Sequence, residues 1–98
     1  MTEEQTAEML SMLKVDLGIM GTTAYDERFV KYLQTADREI IKEGATPDYT
    51  DVADKSLCVM YAAYLWRRRD NMGAMPRMLR YELNNRILSE KARGADGE

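Results

Sequence analysis

Residues 57–66 read LCVMYAAYLW, a run in which every residue is apolar or aromatic. The run is about half as long as a helix that crosses a membrane. A helix built from it is hydrophobic around its whole circumference, so several of its sides must be buried. We therefore expect a central helix that lies either inside one domain or between subunits.

Arginines follow this run at once. Arg67, Arg68 and Arg69 end the predicted helix, and Arg77 and Arg80 come after a short turn. In the structural interpretation, their positive charges stabilise the negative end of the helix dipole. In the functional interpretation, they form an electropositive patch that meets a carboxylate-rich protein surface or a phosphate backbone.

Aromatic and methionine side chains accompany the arginines. They are Tyr61, Tyr64 and Trp66 before the arginines, and Met72, Met75 and Met78 near the turn. Such side chains usually pack in a core, but Tyr, Trp and Arg also anchor interfaces, and Met forms adaptable contact surfaces. The candidates for contact with a protein surface or a phosphate backbone are therefore Trp66, Arg67, Arg68, Arg69, Met75, Arg77, Met78 and Arg80.

Two helices are predicted before the central one. The first begins at Thr2, whose hydroxyl forms a capping box with Gln5, and it ends at Gly18. The second begins at Thr23 and ends before Gly44, with an apolar stripe at helical spacing. The stripe consists of Phe29, Leu33, Ala36 and Ile40.

The central helix is capped by Thr50 or Asp51, and a fourth helix begins near Pro76. The apolar stripe of the fourth helix consists of Met78, Leu79, Leu83, Ile87 and Leu88. Its polar side consists of Arg77, Arg80, Glu82, Arg86 and Glu90. The sequence thus predicts one all-α domain over residues 1–91, a compact bundle of about four helices, followed by a flexible tail over residues 92–98.

The composition argues against catalysis. The chain has no histidine and a single cysteine, Cys58, so it lacks the commonest general base and cannot form a thiolate metal cluster. It contains no phosphate-binding, dinucleotide-binding or nucleophile-elbow motif. Carboxylate pairs such as Asp51 and Asp54 are routine on surface helices. We expect no enzymatic activity, no cofactor and no metal.

The charge is unevenly distributed along the chain. The net charge is −3, which predicts no strong general affinity for nucleic acid. Residues 1–49 carry five basic and ten acidic residues, whereas residues 50–98 carry nine and seven. An acidic half and a mildly basic half can attract one another between neighbouring copies. The acidic start of the chain lacks the pattern of a signal peptide, which favours an intracellular protein without membrane contact.

The order of several segments resembles a known protein family. In sequence these are LKVDLGI at residues 13–19, YDER at residues 25–28, the second helix, the apolar helix ending in three arginines, and MPRML at residues 75–79. Together, over residues 10–88, they are similar to the small head–tail connector, or head-completion, proteins of tailed bacteriophages and prophages. Many members of that family end soon after the last segment, whereas here a polar helix continues through residues 81–86.

The resemblance implies a four-helix subunit that assembles as a homo-oligomeric ring of about a dozen copies beneath the portal protein. Such a ring would extend the DNA channel, let DNA pass without reading its sequence, and attach the tail or a stopper protein. The subunit would act in the virion after assembly in the bacterial cytoplasm. Two other functions are open from the residues alone: a small nucleic-acid-binding protein for packaging or regulation, and a regulator of one protein partner.

Overall fold

Four helices make up the fold, in a computed structural model that describes residues 1–69 and 73–96, the last four by their backbone only. They are α1 (Glu3–Leu17), α2 (Asp26–Lys42), α3 (Val52–Arg67) and α4 (Arg77–Asp96). No strand occurs among the described residues, so the predicted all-α bundle is confirmed. Helix α4 extends over residues 92–96 of the predicted tail, while residues 97–98, like Met72, lie outside the described residues.

Both ends of α1 are formed as the sequence predicts. The Gln5 amide donates to the Thr2 hydroxyl at 3.1 Å, and the Thr2 amide donates to the Gln5 side-chain oxygen at 2.9 Å. These two bonds close the capping box and satisfy two amides that the helix itself leaves without acceptors. Gly18 ends the helix with a φ of 71°, a left-handed conformation that favours glycine.

The start of α2 differs from the prediction, because Thr23 does not cap it. The Thr23 carbonyl accepts from the Asp26 amide at 3.2 Å in a turn, and the neighbouring Thr22 hydroxyl accepts from the Ala24 amide at 3.1 Å. The helix therefore begins at Asp26, preceded by Tyr25 without a side-chain cap. The predicted stripe is fully buried, which confirms Phe29, Leu33, Ala36 and Ile40 as core residues.

Helix α3 is the central helix, since it packs against α1, α2 and α4. Asp51 caps it by accepting from the Ala53 amide at 2.8 Å. Within residues 57–66, only Met60 and Tyr64 are half-buried, and the other eight side chains are buried. The central position predicted from the apolar run is confirmed. No helix in the described part of the chain is long and apolar enough to cross a membrane.

Helix α4 follows directly after Pro76, but its predicted faces are partly wrong. Leu79 and Leu83 are fully buried against the core, whereas Met78 and Leu88 are exposed. Arg86, predicted on the polar side, is nearly buried instead. Its partners across the fold explain this difference.

A set of polar residues fixes the loop between α2 and α3 against α3 and α4. Arg86 donates through Nε to Asp54 Oδ1 and through Nη2 to the Thr46 carbonyl, both at 2.8 Å. Asp54 Oδ2 accepts from the Asp48 amide at 2.8 Å, and Glu90 accepts from the Thr46 amide and hydroxyl. We call these five residues the loop network. Asp54, expected on the surface, is thus an interior residue that is 3% exposed.

Candidate interaction surface

Two of the predicted interface arginines form ion pairs within the chain. Arg67 at the end of α3 lies 3.5 Å from Asp16 Oδ2 of α1, and Arg80 Nη1 donates to Glu43 Oε2 after α2 at 2.9 Å. Lys55 of α3 similarly contacts Glu8 of α1 at 2.9 Å. These three pairs join the acidic first half of the sequence to its basic second half. Part of the opposite charge of the two halves is therefore neutralised by ion pairs within one chain.

Two other arginines stack on aromatic rings. The Arg69 guanidinium lies 3.6 Å from the centre of the Trp66 ring and donates to the Trp66 carbonyl at 2.6 Å. The Arg68 guanidinium lies 5.3 Å from the centre of the Tyr64 ring. Such cation–π contacts hold the charged groups in place while leaving them in contact with water. Arg67, Arg68, Arg69, Arg77 and Arg80 are all exposed, and we call this set the arginine end. The set is not one patch, because Arg67 pairs with Asp16 near the end of α1, whereas Arg80 pairs with Glu43 after the end of α2.

Trp66 is buried beneath the arginine end. Its ring lies edge-on to those of Phe29, Tyr25 and Tyr32, with centroid distances of 4.9, 5.5 and 6.1 Å. These contacts join α3 to α2 and to the residue before it, so the packing interpretation fits Trp66 better than direct contact with a partner. Of the predicted methionines, Met75 is half-buried against the core and Met78 is exposed.

An open apolar groove of about 690 Å³ lies between helices α1 and α3. It was not predicted from the sequence. Its lining includes Ser11, Met12 and Val15 from α1 and Ser56, Val59 and Met60 from α3, with Glu8 and Asp16 also at the groove. Ser56 and Met60 also line a smaller depression that reaches Met78 of α4. This side of α3 is therefore covered completely by neither α1 nor α4. We call the surface lined by these eight residues the groove.

Helix α4 has a second apolar surface, on the side opposite its buried residues. Met78, Tyr81 and Leu88 are 63%, 61% and 62% exposed. Residues 78, 81, 85 and 88 are separated by three, four and three positions, which places them on one face of a helix. We call Met78, Tyr81, Asn85 and Leu88 the outer stripe. The exposed Tyr81 was not predicted, because it lies in a segment that is mostly polar in sequence.

The thiol of Cys58, a potential nucleophile, lies in an environment that makes it unreactive. Cys58 is fully buried and its Sγ lies 3.6 Å from the Leu33 carbonyl. Burial raises the pKa of the Cys58 thiol to about 12, so it stays protonated and weakly reactive. Tyr49 donates to Asp37 at 2.5 Å, and burial also raises the pKa of Tyr49. Within the described residues, no group of three or more potential metal ligands comes together.

The surfaces described above are suited to binding another macromolecule. The groove and the outer stripe are apolar, and the outer stripe begins one residue after Arg77 of the arginine end. Large apolar patches on a folded chain commonly mark sites of contact with another protein. The chain matches no protein-family model, no curated protein and no solved structure.

Proposed function

We propose that the chain is a structural head–tail connector subunit of a tailed bacteriophage or prophage, forming a ring beneath the portal protein. The observation that carries this proposal is the order of segments over residues 10–88, which resembles that family, in a chain that folds as four helices. The ring extends the DNA channel and attaches the tail or a stopper protein. The subunit assembles in the host cytoplasm and remains in the virion.

The apolar surfaces support a subunit that contacts copies of itself. A ring requires a heterologous interface, in which one patch of a subunit meets a different patch of the next. The groove and the outer stripe are two different patches, which adjoin at the depression that Met78 shares with Ser56 and Met60. Their exposure is the feature expected of a subunit that is completed by its neighbours.

The arginine end supports the second part of the proposal, which is passage of DNA. Arg68 and Arg77 are exposed, and Arg68 is held by its stacking on Tyr64. Contacts between arginine and phosphate depend on charge and carry no sequence information. With a net charge of −3, the subunit as a whole binds DNA weakly, which suits a channel through which DNA must slide.

The assembly state tests the proposal most directly. Native mass spectrometry over a concentration series, with electron microscopy of large species, is expected to find a closed ring of about a dozen copies, either alone or on purified portal. A chain that neither forms a ring nor binds portal would overturn the proposal. Salt-sensitive binding of duplex DNA by such a monomer would favour a nucleic-acid-binding protein, and binding of one unrelated protein would favour a regulator.

Charge reversal tests the arginine end separately. We expect Arg68→Glu combined with Arg77→Glu to abolish the joining of heads to tails while the helical circular dichroism stays unchanged. These two positions are chosen because Arg67 and Arg80 have carboxylate partners and Arg69 stacks on the buried Trp66. Lys31→Glu combined with Arg38→Glu, two exposed charge reversals on α2, is the matched control. Normal joining by the double variant would exclude the proposed role of the arginine end.

A further inference from the structure

Two apolar surfaces of this chain stay partly open to solvent within the described residues: the groove and the outer stripe. We infer that the outer stripe of one copy lies in the groove of a second copy. This inference deepens the proposed function and rests on it for its biological setting, because it names the two faces by which one connector subunit meets the next.

The two surfaces have similar lengths. Met78 and Leu88 are ten residues apart on α4, which is about 15 Å along a helix that rises 1.5 Å per residue. Glu8 and Asp16 mark the two ends of the groove on α1 and are about 12 Å apart by the same measure. The groove therefore accommodates a little more than two turns of α4, and the outer stripe spans a little less than three.

The shapes of the surfaces also correspond. The groove is bounded by two packed helices, α1 and α3, so a helix placed along it forms a three-helix arrangement with ordinary side-chain interdigitation. Within the described residues, α4 packs mainly on α3, which leaves its opposite face accessible to a neighbour. Met12 and Met60 in the groove are flexible side chains that can adjust to the Tyr81 ring and the Leu88 side chain.

The charges beside the two surfaces are opposite. Glu8 and Asp16 lie at the groove. The exposed charges that flank the outer stripe on α4 are two basic residues, Arg77 and Lys91, and one acidic residue, Glu82. The flank of the stripe is therefore basic by one charge. Glu8 and Asp16 contact Lys55 and Arg67 within the chain, but both carboxylates keep large exposed fractions, 55% and 46%. They can therefore attract the basic flank of a second copy, which favours the correct orientation and faster encounter.

A contact between two outer stripes explains less of the structure. It would leave the groove exposed to water, whereas Asn85 lies within the interface in either arrangement. A contact between stripe and groove buries both apolar surfaces at once. The second arrangement therefore removes more apolar area from water, which is the main favourable term in association.

Variants with one added cysteine each distinguish these arrangements. We expect a disulfide-linked dimer when Tyr81→Cys is mixed with Val15→Cys and mildly oxidised, and none from either variant alone. Both positions are exposed, so the changes leave the core intact, and the native Cys58 is fully buried. A disulfide forms only when the two Cα atoms approach within about 7 Å. Gln34→Cys, exposed on α2, replaces Tyr81→Cys in the control mixture and is expected to give no link.

The cross-linking is measured across the concentration series and again with purified portal present. No link in the mixture under either condition, or equal linking by Tyr81→Cys alone, would overturn the inference. A ring without the link would exclude this interface and leave the connector proposal standing. The link in a closed dimer that fails to bind portal would support the interface and overturn the connector.

A charge placed in the outer stripe provides a second test. Leu88→Lys is expected to raise the concentration at which half of the protein assembles by at least tenfold, with no change in the thermal midpoint of the monomer. Gln34→Lys adds the same charge at an exposed site on α2 and is expected to change neither quantity. An unchanged assembly midpoint for Leu88→Lys would contradict the inference.

Discussion

Two regions of this molecule bring arginine and carboxylate together at almost the same distance. In the loop network, Arg86 and Asp54 are 2.8 Å apart, with side chains only 11% and 5% exposed. At the arginine end, Arg80 and Glu43 are 2.9 Å apart, with side chains that are 44% and 32% exposed. From the distances alone, the two ion pairs would be expected to contribute equally to stability. Burial separates them, because water and salt screen the exposed pair and not the interior one.

The comparison teaches which arginines the fold requires and which are available for partners. The Arg86 side chain also donates to the Thr46 carbonyl, and Asp54 also accepts from the Asp48 amide. Removing one member of this pair would leave a buried charge and broken loop contacts. At the arginine end, by contrast, removal of one exposed charge should change the free energy of unfolding little. A substitution there can therefore test binding to a partner without unfolding the chain.

The largest effect is expected for the interior pair. Arg86→Met leaves the Asp54 carboxylate buried without its cation, which should lower the free energy of unfolding by about 3–5 kcal/mol. Urea denaturation followed by circular dichroism measures this change. The double variant Asp54→Leu with Arg86→Met removes both charges, so it is expected to recover part of the loss. A loss below about 1 kcal/mol for Arg86→Met would show that burial does not distinguish the two regions.

An intermediate effect is expected beneath the arginine end. Trp66→Leu removes the ring contacts with Phe29, Tyr25 and Tyr32 and leaves a partial cavity, so it should lower the free energy of unfolding by about 2 kcal/mol. Thermal denaturation followed by circular dichroism gives the change. Tyr64→Leu, at a half-buried site on the same helix, should cost clearly less. Equal losses would mean that the ring contacts of Trp66 contribute no more to stability than those of Tyr64.

Much of the fold could be predicted because its signals are local. The Thr2 capping box, the Gly18 end and the stripe from Phe29 to Ile40 depend on residues within a few turns of one another. The central place of α3 follows from a run that has no polar side to turn toward water. The start of α2 was missed because both threonines take part in the turn before the helix, Thr22 through its hydroxyl and Thr23 through its carbonyl, and α2 begins after Tyr25 without a side-chain cap.

The buried arginine and the candidate interface could not be predicted in the same way. Arg86 is 32 positions from Asp54 in sequence. Helical periodicity can place Arg86 on one face of α4, but it cannot identify a partner on another helix. The groove depends on how far α1 and α4 surround α3, which is a property of packing between distant helices. The arginine end was located from sequence, but its ion pairs with Asp16 and Glu43 were not, for the same reason.

The interior also differs from the surface in its response to pH. Burial raises the pKa of Cys58 from 9.0 to about 12, so the native thiol stays protonated at pH values where the unfolded thiol ionises. The unfolded state then binds fewer protons, and this contribution is fully present below pH 9 and is lost as the pH rises toward 12. By pH 10 the loss is on the order of 1 kcal/mol relative to pH 7.

Cys58→Ala separates this contribution from those of other groups. The variant is less stable at neutral pH because it loses buried volume, but its further loss between pH 7 and pH 10 should be smaller than that of the unmodified chain by about 1 kcal/mol. Urea denaturation at both pH values measures the difference. Parallel losses in the two proteins would show that the Cys58 thiol does not contribute to the alkaline destabilisation.

The smallest effect is expected for the exposed pair. Arg80→Gln removes a salt bridge whose side chains are both in contact with solvent, so it should change the free energy of unfolding by less than about 1 kcal/mol. Because screening weakens such pairs, the change should shrink further in high salt, while that of Arg86→Met should remain. Urea denaturation at low and high salt measures both. A loss above about 2 kcal/mol for Arg80→Gln would mean that its bond to Glu43 holds the start of α4 in place. The arginine end would then belong to the fold, and partner binding could no longer be tested there without unfolding the chain.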